Sequence, residues 1–315
     1  MNHYAVYGAC LATTLEFPEL EAFAPLEALP ARTPKWSLRE VPVLAPMQGA
    51  RELGAEPLYD DVHARLFAHE GGYRIRVDDT GEFDLSADGT RIECCAREGA
   101  WPDFVRAHAL GRVLATAMHL EGWLPLHGSA VALGDQVIGF LAPKAFGKST
   151  LALALAASGA RLVSDDLLPV EPGAVAMAWP GVHAVRLRED AGTEPVLPSN
   201  RSATREGKIV LSALPEERLQ RVALPLAALY LLDPALPADG ELAARRELLP
   251  AMAATLGVVA HAKIGRMQGP GAAGELLARA AAILRDVPVY RLSTARAIGR
   301  LPELVAQLRA WHLPA

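Results

Sequence analysis

One segment near the middle of the chain constrains the fold more than any other. An unbroken apolar stretch, Val137 to Leu141, leads into a short loop that ends Gly147-Lys148-Ser149-Thr150, and LALALAASG follows. A continuous apolar run of this length is typical of a strand that is covered on both faces, and alanine and leucine favour helix. The segment therefore predicts a buried strand, a tight loop and a helix in succession, the unit from which α/β folds are built.

The loop has the residue types of a phosphate-binding loop. Gly147 lets the backbone approach a phosphate, the Lys148 ammonium neutralises β- and γ-phosphate oxygens, and the Ser149 hydroxyl can ligate Mg²⁺. Backbone N–H groups of the loop and of the first helical turn point at the same phosphate. The predicted nucleotide-binding residues are Ala142, Pro143, Lys144, Ala145, Phe146, Gly147, Lys148, Ser149 and Thr150. The alternative is that FGKST is only a joint between a strand and a helix.

The loop also departs from the usual pattern G-x-x-x-x-G-K-[ST]. Ala142 stands where the first glycine is expected, and Ala145 stands where a further glycine is often found. If either position requires a positive φ, alanine costs about 1 to 2 kcal/mol. Pro143 has no N–H to offer to phosphate, whereas Lys144 adds a positive charge.

Two further features lie near this loop in the sequence. Asp165 and Asp166 follow a short apolar strand, and in α/β sheets the strand ends line the ligand crevice. One carboxylate could accept the proton of an attacking hydroxyl while the other helps to hold Mg²⁺. His127 precedes the strand that leads towards the loop. The alternatives are a solvated Asp-Asp turn and a structural histidine.

Composition excludes several classes of protein. In the 315 residues, 51% are apolar and 21% charged, which suits a globular chain with a buried core. Acidic residues (36) outnumber basic ones (31), and without a basic stripe nucleic acid is not an expected partner. The longest uncharged run, from Leu248 to Ala262, is too short to span a membrane. Three cysteines without a paired spacing and the lack of an export signal predict a cytoplasmic protein.

The pattern of the chain predicts two domains. Residues 1–102 are expected to form a smaller, mostly β, α+β domain, and residues 103–315 an α/β domain with a mixed, largely parallel sheet flanked by helices. Residues 24–57, rich in proline, are expected to be irregular. Expected strands are 4–8, 73–77, 82–86, 91–94, 130–133, 137–141, 161–163, 223–232 and 287–292, and expected helices are 103–121, 148–158, 250–260, 274–285 and 301–311.

The order LHGSAVAL, strand, GKST loop, GARLVSDDLLPVE resembles HPr kinase/phosphorylase. The chain is most similar to the HPr-kinase-like proteins encoded with lasso-peptide and related ribosomal-peptide genes. The N-terminal YAVYG and EFPEL and the C-terminal VPVYRL and LPE segments carry the same resemblance. It implies an HPr-kinase-like core, ATP and Mg²⁺ as cofactors, a serine-bearing peptide or protein as acceptor, and a homo-oligomer.

The resemblance also implies roles for individual residues. Lys148 and Ser149 would bind the triphosphate and Mg²⁺, Asp165 would be the general base, Asp166 a metal or water-ordering carboxylate, and His127 a polar group beside Asp165. Lys208 would contact phosphate, and Glu171 or Glu189 would supply a further acidic ligand. The resemblance does not extend to the signature for dephosphorylation.

Two other functions stay open at this stage. The altered loop is also compatible with a pseudokinase that binds nucleotide weakly and acts through an interaction. A phosphate-binding loop does not specify the acceptor, so a kinase acting on a small-molecule alcohol is the third possibility. Arg186, Arg188, Arg201 and Arg205 could attract an acidic peptide or could simply be solvated.

Overall fold

A computed structural model describes residues 1–21, 34–182, 184–188, 200–203, 208–212, 214–238, 240, 242–295 and 297–313. They form two sheet-rich compact units with flanking helices, which confirms the mixed α/β class. The first unit comprises Met1–Pro125 and Ala262–Arg279, and the second Leu126–His261 and Ala280–Ala315. This division lies later than the predicted boundary between residues 102 and 103.

The first unit contains an eight-stranded sheet of order β1-β2-β3-β8-β7-β6-β5-β4. Its strands are β1 (Asn2–Val6), β2 (Ala9–Thr13), β3 (Pro34–Glu40), β4 (Arg51–Tyr59), β5 (Val62–His69), β6 (Gly72–Val77), β7 (Gly81–Ser86) and β8 (Arg91–Ala96). The antiparallel meander predicted from the turns at 78–81 and 88–90 is confirmed as β6-β7-β8.

The expectation of irregular structure over residues 24–57 is wrong for β3 and β4, and residues 22–33 lie outside the described residues. Both strands accommodate proline where a sheet tolerates it. Pro34 is the first residue of β3, and Pro57 lies on β4, the edge strand of the sheet. Proline content alone therefore does not exclude strands in this region.

The helix predicted for residues 103–121 is present with one irregularity. After the short α1 (Pro18–Glu21), α2 (Pro102–His108) and α3 (Leu114–Leu120) are joined by a π-helical turn, Ala109–Val113. The buried hydroxyl of Tyr7 donates to the Leu110 carbonyl in this turn at 2.7 Å.

The second unit contains a mixed sheet of order β12-β10-β11-β18-β14-β13-β9, with β20 also paired to β18 and β19 to β20. Its strands are β9 (Leu124–Leu126), β10 (Gly128–Leu133), β11 (Gln136–Leu141), β12 (Arg161–Ser164), β13 (Leu168–Glu171), β14 (Met177–Ala178), β18 (Leu224–Leu236), β19 (Ala244–Leu248) and β20 (Val289–Ala295). Parallel pairing joins β11, β18 and β20 at the centre, and antiparallel strands flank them.

A separate three-stranded sheet consists of β15 (Val185–Arg188), β16 (Asn200–Ala203) and β17 (Lys208–Ser212). The longer helices are α4 (Lys148–Ala157), α5 (Ala251–Val259), α6 (Ala273–Ile283) and α7 (Leu301–His312). None of the helices in the described ranges is long and apolar enough to cross a membrane.

The core of the second unit lies around β11 and α4. Ile138 and Phe140 of β11 are fully buried, and they pack in one cluster with Leu151 and Leu155 of α4 and Leu308 of α7. Close packing of this kind fixes the end of β11 relative to the start of α4. The loop between them is thereby held at both ends.

The three cysteines are free thiols. Cys10 and Cys94 are buried and Cys95 is half-buried. Burial raises the pKa of the Cys94 thiol to about 12, with the nearby Glu40 carboxylate as a second cause. A buried thiol of this kind is unreactive and serves as a packing residue.

Candidate functional site

The strand register brings three motif segments to one edge of the sheet. In the antiparallel pair of β10 and β11, Gly128 lies opposite Leu141, and in the pair of β10 and β12, Ala130 lies opposite Ser164. The start of β10 therefore lies beside the ends of β11 and β12. A Cβ on Gly128 would come within 2.8 Å of the Phe140 carbonyl oxygen, so only glycine permits this approach.

The loop between β11 and α4 turns through left-handed backbone at two places. Gly147, the N-cap of α4, has φ 86°, and Ala145 has φ 71°. No atom outside the adjoining residues lies within 4 Å of where a Gly147 Cβ would be, so the backbone here faces open space. The first-turn N–H groups of a helix lack intrahelical partners and favour an anion. Such a loop can cradle phosphate.

Lys148 is buried and folds back over the loop. Its ammonium donates to the carbonyl oxygen of Ala142 at 2.8 Å and to that of Pro143 at 3.1 Å. The cation is therefore held against the backbone at the start of the loop. Pro143, Lys144 and Ala145 are exposed, whereas Phe146, Ser149 and Thr150 are half-buried and Ala142 is buried.

Asp165 is the buried acceptor of two hydroxyl groups. The Ser149 hydroxyl donates to its Oδ1 at 2.8 Å, and the Ser129 hydroxyl donates to the same atom at 2.5 Å. The Ser149 hydroxyl, at the end of the phosphate-binding loop, is therefore hydrogen-bonded to the Asp165 carboxylate that follows β12. Ser129 is not among the site residues that the sequence predicts, because only the pairing of β10 with β12 places it beside Asp165.

Asp166 has a different environment. Its backbone is left-handed, with φ 73°, and about a third of its side chain is exposed. The Nδ1 of His127 lies 3.2 Å from its Oδ1 and 3.1 Å from its carbonyl oxygen. The structure therefore places His127 beside Asp166, whereas the resemblance implied a position beside Asp165. Positive φ at a non-glycine residue is a strained state that concentrates at functional sites.

The oxygen atoms at this site suit Mg²⁺. Ser149 Oγ and Asp165 Oδ1 are hard oxygen ligands, and they are hydrogen-bonded to each other. Mg²⁺ is usually bound by one or two such protein groups together with water and substrate phosphates. In the described part of the chain, no three His, Cys, Asp or Glu side chains cluster as a self-sufficient metal site.

The other candidate residues contribute less to this geometry. The carboxylate of Glu171 accepts from the indole N–H of Trp179 at 2.7 Å. Lys208, Arg186, Arg188 and Arg201 lie on strands of the three-stranded sheet, but their side chains fall outside the described part. Glu189 and Arg205 lie outside the described residues altogether. Their roles stay predictions.

No family model and no curated protein matches this chain. Among solved structures it is similar to the HPr(Ser) kinase/phosphatase from Coxiella burnetii, at 14% sequence identity and a TM-score of 0.33. The match covers 60% of this chain and 90% of that one.

Proposed function

We propose that this chain is an ATP-dependent kinase that transfers the γ-phosphoryl group of ATP to a serine hydroxyl of a peptide or protein. The hydrogen bond between Ser149 and Asp165 carries this proposal. It joins the hydroxyl of a phosphate-binding loop to a carboxylate that follows β12, which is the pairing that holds Mg²⁺ on a bound triphosphate in phosphate-loop enzymes.

In this proposal the phosphates lie at the N-terminus of α4. The backbone around Gly147 leaves room for the β-phosphate, and Lys148 exchanges its two carbonyl acceptors for phosphate oxygens. Mg²⁺, when bound, would neutralise charge on the β- and γ-phosphate oxygens. Ser149 and Asp165 are the residues that would hold it.

The two carboxylates have different access to an acceptor, and this supports a division of labour. Asp165 is 6% exposed and already accepts two hydroxyl groups, so it suits the metal side of the site. Asp166 is about a third exposed and carries His127 as a neighbour, so an incoming hydroxyl can reach it. We therefore propose Asp166 as the general base and Asp165 as the metal ligand. These roles are the reverse of those that the resemblance implied.

The reaction balances with these residues. The serine oxygen forms a bond to the γ-phosphorus while the bond between that phosphorus and the β,γ-bridging oxygen breaks. ADP leaves, and the hydroxyl proton passes to the Asp166 carboxylate. His127 lies within reach of that carboxylate and can hold its orientation. The serine-bearing peptide as acceptor is supported by the resemblance of the GKST and Asp-Asp segments to peptide-modifying HPr-kinase-like proteins.

The test is phosphoryl transfer from labelled ATP to the short peptides encoded beside the gene. We expect Asp166→Asn to lower transfer by a factor of about 10² to 10⁴, the usual contribution of a general base, with little change in ATP affinity. Asp165→Asn should instead weaken Mg²⁺-dependent ATP binding. Asp135→Asn is the matched control, because Asp135 is exposed on the turn between β10 and β11.

Other outcomes separate the competing proposals. If Asp165→Asn abolishes transfer at unchanged ATP affinity while Asp166→Asn stays active, the original assignment of the base is the right one. ATP binding without transfer to any peptide or small alcohol would favour the pseudokinase. The pseudokinase proposal is supported by Ala145, where a residue other than glycine has a positive φ in the phosphate-binding loop.

A further inference from the structure

Strand β19 lies at one edge of the mixed sheet in the second unit. In the part of the chain that the structure describes, β19 pairs with β20 alone, so its other side has no strand beside it. The unpaired N–H and C=O groups of an edge strand are a template for a further strand. The residues of β19 indicate which strand fits there.

The hydrogen bonds to β20 identify the backbone groups of β19 that face outward. Just past the end of β19, the N–H of Leu249 donates to the Val289 carbonyl of β20 at 2.9 Å. Alternate residues of an antiparallel strand bond to the same neighbour, so the odd-numbered residues of β19 bond to β20. The residues whose N–H and C=O groups face the open edge are therefore Ala244, Arg246 and Leu248.

The side chains of β19 alternate between the two faces of the sheet. Arg246 lies on one face, where its guanidinium carbon is 4.5 Å from the centre of the Trp311 ring. Arg245 and Glu247 lie together on the opposite face, and both are exposed. The edge therefore carries one positive and one negative side chain on the same face, one on each side of Arg246.

This charge pattern is complementary to itself in an antiparallel pair. When two copies of β19 pair about a twofold axis at Arg246, their outward-facing backbone groups bond to each other. Arg245 then lies opposite the partner's Glu247, at a pair without hydrogen bonds, where side chains come closest. Sliding one strand by two residues instead places Arg245 opposite the partner's Arg245, or Glu247 opposite the partner's Glu247. Opposite charges therefore favour the register centred on Arg246.

Apolar surface continues from this edge along α5. Leu248, the last residue of β19, is 61% exposed, and Met252 and Leu256, four residues apart on α5, are 70% and 53% exposed. The sequence contains no charged residue from Leu248 to Ala260. A helix that exposes apolar side chains and carries no charges is typical of a surface that another protein covers.

We propose that β19 and α5 form the docking surface for a second copy of this chain, joined by an antiparallel pair of β19 strands centred on Arg246. The same patch serves both copies, as a twofold interface requires. Glu247 already lies 3.5 Å from Arg291 of β20, so a row of alternating charge would run from Arg291 through Glu247 to the partner's Arg245. This inference is independent of the proposed function, because none of these residues belongs to the phosphate site.

The test uses two charge reversals in the full chain, Arg245→Glu and Glu247→Arg, both at exposed positions. Either variant alone places like charges opposite each other at the junction, whereas a mixture of the two variants pairs opposite charges again. Sedimentation velocity over a series of concentrations measures dimerisation. We expect each variant alone to weaken the dimer by about tenfold or more, and the equimolar mixture to recover it to within about threefold of the unmodified chain.

The matched control is Arg91→Glu, at an exposed arginine of β8, which has a paired strand on each side. It should dimerise as the unmodified chain does. An unmodified chain that stays monomeric at every concentration, or a dimer that neither reversal weakens, would overturn the proposal. So would a mixture that dimerises no better than its components. Protection of β19 amides from hydrogen exchange only when an acceptor peptide is added would assign the edge to a peptide instead of a second copy.

Discussion

Ala142 and Ala145 both replace glycines of the usual phosphate-loop pattern, but their backbones differ. Ala145 has φ 71° and is exposed, whereas Ala142 is not among the residues with positive φ and is 1% exposed. Only Ala145 is therefore strained by its side chain. The alanine at 142 fills space in the core instead. The sequence pattern treats both positions alike, and only the backbone conformation separates them.

We expect Ala145→Gly to stabilise the second unit by about 0.5 to 1 kcal/mol, because relief of the left-handed strain outweighs the entropy that glycine loses on folding. Ala142→Gly should destabilise it by about 1 to 2 kcal/mol, since it removes a buried methyl group and adds backbone entropy to the unfolded chain. Urea unfolding measures both. A destabilised Ala145→Gly variant would show that the loop tolerates alanine without strain.

The candidate site was partly predictable at the level of residues. Local sequence places Lys148 and Ser149 at the start of a helix and Asp165 after a strand, because each lies next to an apolar run. It does not place Ser129 against Asp165, since that contact depends on the register of β10 and β12. Local sequence also does not predict the cavity beside the phosphate-binding loop, because its walls, which include Phe146, Leu232 and Ile298, come from segments far apart in the chain.

At the scale of elements, continuous apolar runs predicted β10, β11, β12 and β18, and alanine-rich or periodic stretches predicted α4 to α7. Strands without such a pattern were missed. β4 is an edge strand that contains glycine and proline. β13 and β14 are only four and two residues long. Their pairing depends on contacts that are distant in sequence, which a local pattern does not contain.

Helix α7 is attached to the sheet by its last residues. The Tyr230 hydroxyl lies 2.6 Å from Nε2 of His312, and the Gln136 amide donates to the His312 carbonyl at 3.0 Å. The ring of Trp311 stacks near Tyr230, with centroids 6.5 Å apart. Burial, together with the nearby Arg246 guanidinium, lowers the pKa of His312 to about 4. The histidine in α7 is therefore neutral near neutral pH.

This lowered pKa makes the docking of α7 sensitive to acid. In the unfolded chain His312 binds a proton near its ordinary pKa of 6.5, whereas in the folded chain it does so only near 4. Its contribution to the free energy of unfolding is therefore fully present above pH 6.5 and decreases as the pH falls towards 4. We expect the opening free energies of α7 amides, from hydrogen exchange, to fall by up to about 2 kcal/mol between pH 7 and 5. His312→Gln should remove most of this dependence, whereas His3→Gln, at an exposed histidine, should not.

At the scale of the whole molecule, the chain leaves the first unit after residue 125 and returns to it for residues 262–279. The returning segment is bound closely. A Cβ on Gly54 would lie 2.8 Å from the Met267 carbonyl oxygen, and the Lys263 N–H donates to the Pro125 carbonyl at 2.9 Å. The sequence prediction groups residues 262–279 with the α/β domain of residues 103–315, because they follow its central segments in the chain. Their packing, not their order, assigns them to the first unit.

Arg279 provides the most direct test of this assignment. One nitrogen of its guanidinium donates to the carbonyl oxygens of His119 and Trp123, both at 2.8 Å, and lies 2.8 Å from the His119 ring. Burial lowers the pKa of His119 to about 4, so the ring is neutral and accepts this bond. All three contacts are made by one terminal nitrogen, whose position the shorter lysine side chain does not reach, so Arg279→Lys should destabilise the first unit by about 2 to 4 kcal/mol.

Hydrogen exchange followed by peptide mapping locates that loss. Amides of α3 and of β1 to β8 should lose protection in Arg279→Lys, while those of β11 and α4 keep it, because the bonds that are lost lie inside the first unit. Arg291→Lys is the control, since Arg291 pairs with Glu247 at 3.5 Å with both side chains about half exposed, and such a pair contributes little. Loss of protection in β11 and α4 to the same extent as in α3 would mean that residues 262–279 stabilise the chain as one cooperative whole.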